Sequence, residues 1–182
     1  PGLYRRLIET IRRPDLRVIL DTGGEPLVRA LEASPFAVKP NLDELRDLGA
    51  RLADAPRPAE GEPVVAWAAR VVRRLQAGGV EFPVASLGPE GAVAAWRERV
   101  VHLRPPPIRA VNTVSCGDAL VAGLAVGLLR GWEAPEALRL GVAAAAAKAL
   151  LFETGRVRPA DVDRLFPACR CQVLAMPDHR SQ

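Results

Sequence analysis

Asn112-Thr113-Val114-Ser115-Cys116-Gly117-Asp118 runs without a break into Ala119-Leu120-Val121-Ala122-Gly123-Leu124-Ala125-Val126-Gly127-Leu128-Leu129. Small or flexible residues and one aspartate precede a helix that is apolar on every side, the composition of a buried helix. A helix N-terminus exposes unpaired backbone N–H groups and a partial positive charge, so this turn can hold a phosphate. Small residues let the backbone come close to such an anion. Gly123 and Gly127, one turn apart, leave a smooth face that another backbone or a flat ligand can approach. Asp118 stands where the helix begins. Its ordinary role there is an N-cap. With a phosphate on the N–H groups, it is also placed to take a proton from an attacking hydroxyl.

The elements on either side of this stretch alternate. A short apolar run at 18–20 ends in Asp21-Thr22-Gly23-Gly24, and a helix is expected over 26–33. Phe36-Ala37-Val38 is a second short strand, closed by Lys39-Pro40-Asn41. Asn41 is an N-cap for a helix over 42–48, with Gly49 at its stop. The proline-rich, charged stretch 53–62 reads as a loop inside one core, and 63–77 as the next helix. A strand over 80–86, a tight turn at 87–91 and a returning strand over 92–96 form a hairpin. A turn at 97–99 leads to a strand over 100–103, and Pro105-Pro106-Pro107 is extended. After the helix over 119–130 come another over 135–151, a last one near 159–165 and a strand near 172–175. Strands alternating with helices in this order predict an α/β layered fold with a largely parallel sheet.

Composition excludes more than it names. The chain has 182 residues, a formal net charge of +4 and 49% hydrophobic residues. That is enough apolar content for a buried core. No apolar run reaches the roughly 20 residues of a membrane span, so no membrane partner is expected. Arginine supplies 23 of 25 basic residues, scattered among acidic ones, and aromatics are only 4%. A nucleic-acid binder concentrates its basic residues on one stripe with stacking aromatics, so no nucleic-acid partner is expected either. Three cysteines are too few for a disulfide scaffold and favour a reducing, cytoplasmic setting. Cys169-x-Cys171 lacks a second pair at metal spacing and reads as free thiols. His102, between Val101 and Leu103, reads as a solvent-facing strand residue, and the three tryptophans as packing residues.

The stretch 112–125 resembles the C-terminal signature of the phosphofructokinase B family of ribokinase-like sugar kinases, written around Gly-Ala-Gly-Asp. Cys116 departs from the Ser, Ala or Gly usual there, and a thiol is still small. Lys39-Pro40-Asn41-Leu42-Asp43-Glu44 resembles the family's Asn-x-x-Glu element. Ser86-Leu87-Gly88-Pro89-Glu90-Gly91 resembles its Ser-x-Gly-x-x-Gly nucleotide turn. The segments 18–24 and Glu153-Thr154-Gly155 also fit. Alone, the Asn-x-x-Glu pair and the glycine turn are more often a helix cap and a hairpin turn. Three motifs in the right order are far more specific.

The resemblance implies a ribokinase-like layered α/β/α fold with a mainly parallel sheet, its N-terminal portion missing. Residues 1–176 would form the C-terminal, nucleotide-binding part of a single kinase domain, and 177–182 a tail. It implies ATP and Mg²⁺ as cofactors. Asp118 would be the catalytic base, with Ser115, Cys116 and Gly117 forming an anion hole through backbone N–H. Asn41 and Glu44 would hold Mg²⁺, largely through water. Lys39 would lie near the nucleotide phosphates, and Ser86, Gly88, Gly91 and Thr113 would line the ATP site. The substrate would be a sugar or sugar phosphate, as for 1-phosphofructokinase or tagatose-6-phosphate kinase. The sugar-binding Gly-Gly signature and lid are not in this sequence. An open sheet edge and exposed apolar surface then predict association, with a homodimer as one form. The alternatives are a truncated, non-catalytic nucleotide-binding remnant and a nucleoside kinase relative.

Overall fold

The computed structural model describes residues 2–52 and 54–175. The expected tail at 177–182 lies outside them. Helix α1 (Leu3–Ile11) comes first, then β1 (Ile19–Leu20), α2 (Gly24–Leu31), β2 (Ala37–Val38), α3 (Leu42–Arg51) and α4 (Val64–Ala77). Strands β3 (Phe82–Ser86), β4 (Ala92–Trp96) and β5 (Arg99–Arg104) follow, then α5 (Cys116–Leu129), α6 (Ala134–Ala149), α7 (Pro159–Leu165) and β6 (Arg170–Leu174). Single 3₁₀ turns occupy Gly88–Glu90 and Phe166–Ala168.

The six strands lie in one sheet in chain order. β1, β2 and β3 are parallel, with Ile19 opposite Ala37 and Ala37 opposite Phe82. From β3 to β6 every pairing is antiparallel. The layered α/β/α architecture is as expected, whereas the mainly parallel sheet holds only for β1–β3. For β3–β5 the reason is loop length: the turns at 87–91 and 97–98 are hairpin turns, too short for the crossover that a parallel neighbour needs, whereas β6 returns antiparallel to β5 after α5, α6 and α7.

Strand alternation sorts the core into two layers. Phe82, Val84, Ala92, Ala94, Val101 and Leu103 point toward α5, α6 and α7. Ala85, Val93, Ala95 and Val100 point the other way, toward the helices α1–α4. This is the period-2 pattern of a sheet covered on both faces. Trp67 is buried in the second layer and donates its indole N–H to the Pro56 carbonyl at 2.7 Å. Phe36, Phe82 and Trp96 form edge-on and tilted ring contacts in the first.

Several local expectations are corrected. α3 passes through Gly49 and ends at Arg51, because Gly49 is buried facing Trp67 and Pro56 instead of capping the helix. His102 is buried, not solvent-facing: it alternates with Val101 and Leu103 onto the α4 side, and its Nε2 lies 2.6 Å from the Glu90 carbonyl. α5 is not buried all round, since Val126 is 40% and Leu129 88% exposed. α1 adds a helix ahead of the expected elements, with Leu3, Leu7, Ile8 and Ile11 recurring at helical spacing. Only Ile8 of that helix is buried.

Candidate functional site

Two contacts fix where α5 begins. Gly123 and Gly127 face α6, where a Cβ on Gly123 would stand 2.7 Å from Gly141 Cα and one on Gly127 2.6 Å from Ala137 Cα. A Cβ on Gly141 would stand 2.5 Å from the Leu120 carbonyl oxygen. The smooth face therefore receives a neighbouring backbone, and the two helices pack closer than side chains permit. At the N-terminal end, Val111 and Asn112 donate their N–H groups to the Ala149 carbonyl at 2.7 and 3.2 Å. Asn112 accepts from the Val114 N–H at 2.9 Å and donates to the Phe152 carbonyl at 2.7 Å. Ser115 Oγ accepts from the Gly155 N–H at 2.8 Å. The Glu153-Thr154-Gly155 segment singled out in the sequence thus supports the 112–118 turn from behind.

The turn itself is strained and open. Ser115 is the N-cap of α5, with φ +64° in the left-handed region. Such a conformation costs a non-glycine residue about 1 kcal/mol or more and persists only where its surroundings hold it. Asp118 is therefore not the N-cap but lies in the first turn of the helix. Its carboxylate is exposed and makes no hydrogen bond or ion pair among the described residues. The Cys116 N–H is directed to the Thr113 carbonyl at 3.2 Å. The N–H groups of Ser115, Gly117 and Asp118 have no backbone acceptor among the described residues. An anion cradle on this turn would draw on those three rather than on Cys116. Burial pushes the Cys116 thiol up, and the nearby Lys148 ammonium partly opposes the rise.

The carboxyl ends of the parallel strands reach the same place. Lys39, just beyond β2, is 4% exposed, and its Nζ lies 3.1 Å from Asp21 Oδ1 just beyond β1. A Cβ on Gly117 would stand 3.3 Å from that Nζ and 3.9 Å from Asp21 Oδ2. Lys39 and Asp21 are therefore seated against the first turn of α5. In the sequence Asp21 is only the end of a short strand, and its partnership with Lys39 needs two strands brought side by side. Asn41 pairs with Ser86 in an isolated parallel bridge, and the Ser86 N–H reaches the Pro40 carbonyl at 3.0 Å. The 39–41 segment thus joins the turn at 86–91 to α5.

Asn41 and Glu44 form a reciprocal capping box. Asn41 Oδ1 accepts from the N–H groups of Asp43 and Glu44, both at 3.0 Å, and Glu44 Oε2 accepts from the Asn41 N–H at 2.8 Å. Glu44 Oε1 is left, lying 3.3 Å from where a Gly23 Cβ would be. No group of three His, Cys, Asp or Glu side chains among the described residues could enclose a metal. One free carboxylate oxygen fits a hydrated ion held largely through water, and does not fit a protein cage. In the turn at 86–91, Gly91 is structural: its φ is +85° and a Cβ there would meet the Leu103 carbonyl oxygen at 1.9 Å. Gly88, at φ +59°, has open space above it. The Thr113 side chain is exposed and makes no hydrogen bond among the described residues.

These features are those of a layered α/β protein with an anion-ready helix N-terminus at the carboxyl edge of its parallel strands. The chain belongs to the pfkB family of carbohydrate kinases, whose model matches residues 3–160. It is 36% identical over 164 residues to the ATP-dependent 6-phosphofructokinase isozyme 2 of Mycobacterium tuberculosis, covering 90% of this chain and 45% of that protein. It is 32% identical over 153 residues to the 1-phosphofructokinase of Bacillus subtilis, covering 84% of this chain and 47% of that one. Among solved structures, phosphofructokinase-2 from Escherichia coli in complex with potassium superposes with TM-score 0.78 at 28% identity, over 91% of this chain and 51% of that chain. Ribokinase from Thermotoga maritima shares the fold with TM-score 0.69 at 22% identity, over 89% of this chain and 52% of that one. The chain spans about half the length of these relatives.

No helix among the described residues is long and apolar enough to cross a membrane.

Proposed function

We propose that this chain contributes the phosphate-handling site of an ATP-dependent kinase acting on a hydroxyl of a sugar or sugar phosphate, of the 1-phosphofructokinase or tagatose-6-phosphate kinase kind. What supports the reading is one juxtaposition. An exposed Asp118 carboxylate, without a partner among the described residues, shares the first turn of α5 with the N–H groups of Gly117 and its own backbone, which have no backbone acceptor there, and buried Lys39 sits against that turn. The names of the relatives supply the substrate class.

In this reading the terminal phosphoryl group of ATP lies on the N–H groups of the turn, at the positive end of the helix dipole. Asp118 takes the proton of the acceptor hydroxyl as its oxygen bonds to phosphorus and the bond to ADP breaks. The fixed N–H groups and the Lys39 ammonium stabilise the charge on the transferring oxygens, the larger share of the work in phosphoryl transfer. Glu44 Oε1 would hold a hydrated Mg²⁺, which neutralises phosphate charge when bound. Ser86, Gly88 and Thr113 would line the nucleotide, with Gly88 giving the closest backbone approach.

The test pairs MgATP calorimetry with ADP release over a panel of sugars and sugar phosphates. Asp118→Asn should keep MgATP affinity and lower turnover by about a hundredfold or more. Turnover within a few-fold of the parent would remove Asp118 from the base role. The second reading is a non-catalytic nucleotide-binding remnant. MgATP binding by the parent with no transfer to any acceptor would select it.

A further inference from the structure

Lys148 lies in the last turn of α6 and is fully buried at 0% exposure. Its Nζ donates to the Asn112 carbonyl at 3.0 Å and to the Leu151 carbonyl at 3.5 Å. No carboxylate lies within 4.0 Å of it among the described residues, whereas Lys39 has Asp21. Two neutral carbonyls satisfy hydrogen bonds but leave a positive charge inside the protein without a counter-charge among the described residues. Such a charge is costly to bury. A methionine or leucine would fill the same space without that cost, so packing alone does not account for a lysine here.

The charge stands directly behind the turn that opens α5. Its acceptor, Asn112, is the residue whose side chain shapes that turn through the Val114 N–H. The Cys116 thiol, one residue from the free Gly117 N–H, feels the Lys148 charge. We propose that Lys148 is a positioning residue that also supplies a fixed positive charge behind the phosphate-binding turn, so that a bound phosphate provides the counter-charge that the described residues lack. This rests on the reading of that turn as a phosphate site. In a poorly screened interior such a charge acts over several ångströms, through one layer of backbone.

The test uses inorganic phosphate and MgATP as probes on the intact chain. Lys148→Met should bind both about tenfold more weakly than the parent while leaving the far-ultraviolet circular dichroism unchanged. The pH profile of Cys116 alkylation, read by mass spectrometry of its peptide, should also move to higher pH in that variant. A merely structural staple would not shift the profile. Should Lys148→Met fail to fold, the parent still decides the matter, because its only two lysines are Lys39 and Lys148. With Nζ-labelled lysine and Lys39→Arg for assignment, the Lys148 resonance should move on phosphate titration with the calorimetric midpoint. Unchanged affinity in a folded Lys148→Met, or a Lys148 resonance indifferent to phosphate, overturns the role of Lys148 and leaves the nucleotide site standing. A parent that binds neither probe overturns both.

Discussion

Replacing Gly123 with alanine places one methyl group where the structure has backbone. Its Cβ would lie 2.7 Å from Gly141 Cα and 2.9 Å from both Gly141 N and the Leu140 carbonyl oxygen. Carbon atoms rest at about 3.5–4.0 Å, so α5 must move off α6 by most of an ångström. No rotamer change relieves this, because the three nearest opposing atoms are all backbone. Overpacking of this kind costs roughly 1–3 kcal/mol, and the contact argues for the upper part of that range. Alanine's better helix propensity returns about 1 kcal/mol. The net loss of about 1–2 kcal/mol lowers Tm by roughly 3–6 °C at this chain length. Gly49→Ala is the matched control, since it also lies within a helix but its Cβ would sit 3.9 Å from Trp67 Cζ2, an ordinary contact. That substitution should raise Tm by roughly 2–3 °C through propensity alone. Differential scanning calorimetry of the two variants beside the parent reads the contrast. Because α5 presents Gly117 and Asp118, Gly123→Ala should also weaken phosphate binding, and Gly49→Ala should not. A Gly123→Ala protein as stable as the parent, or moving with Gly49→Ala, would refute the account of the helix contact.

Two further outcomes follow from the local chemistry. Asn41→Ala removes the acceptor of two N–H groups at the start of α3 and should cost about 1 kcal/mol in urea unfolding with no metal present. An effect seen only with Mg²⁺ would mean that the cap is not its main role. Glu62 accepts from Arg70 through both carboxylate oxygens and from the Ala59 N–H, and these partners hold its carboxyl below the usual range. A carboxylate with a depressed pKa stabilises the fold above its unfolded value of about 4.3, and that contribution fades as the pH falls through the folded pKa. Arg70→Gln should therefore be less stable than the parent at pH 7 and approach it in acid. A stability gap that stays constant from pH 7 down to about 3 would contradict the pairing.

Much of the fold can be read along the chain because its signals are local. Asn41 followed by Glu44 is a capping box in sequence and in structure, and the turns at 87–91 and 97–98 dictate a hairpin. The same locality explains the misreadings. Gly49 looks like a helix stop until Trp67 and Pro56, distant in sequence, turn out to bury it. His102 looks exposed by its polarity, although strand parity faces it toward α4 and a carbonyl across the hairpin satisfies its ring. Asp118 looks like a cap because Gly-Asp before an apolar run usually is one. The cap is Ser115, whose positive φ is sustained by the fold and has no mark in the sequence.

By itself, then, the sequence determined the turns, the caps and the small residues before α5 and the order in which they come, since such signals act over a few positions. Only the tertiary structure decided which of them meet. Lys39 and Asp21 come from adjacent parallel strands, and Gly117 from a helix nearly eighty residues on. Lys148, inside an alanine-rich helix, carries no local sign of its role. A buried charge is defined by what surrounds it, and here that is a turn brought to it by the packing of α5 on α6.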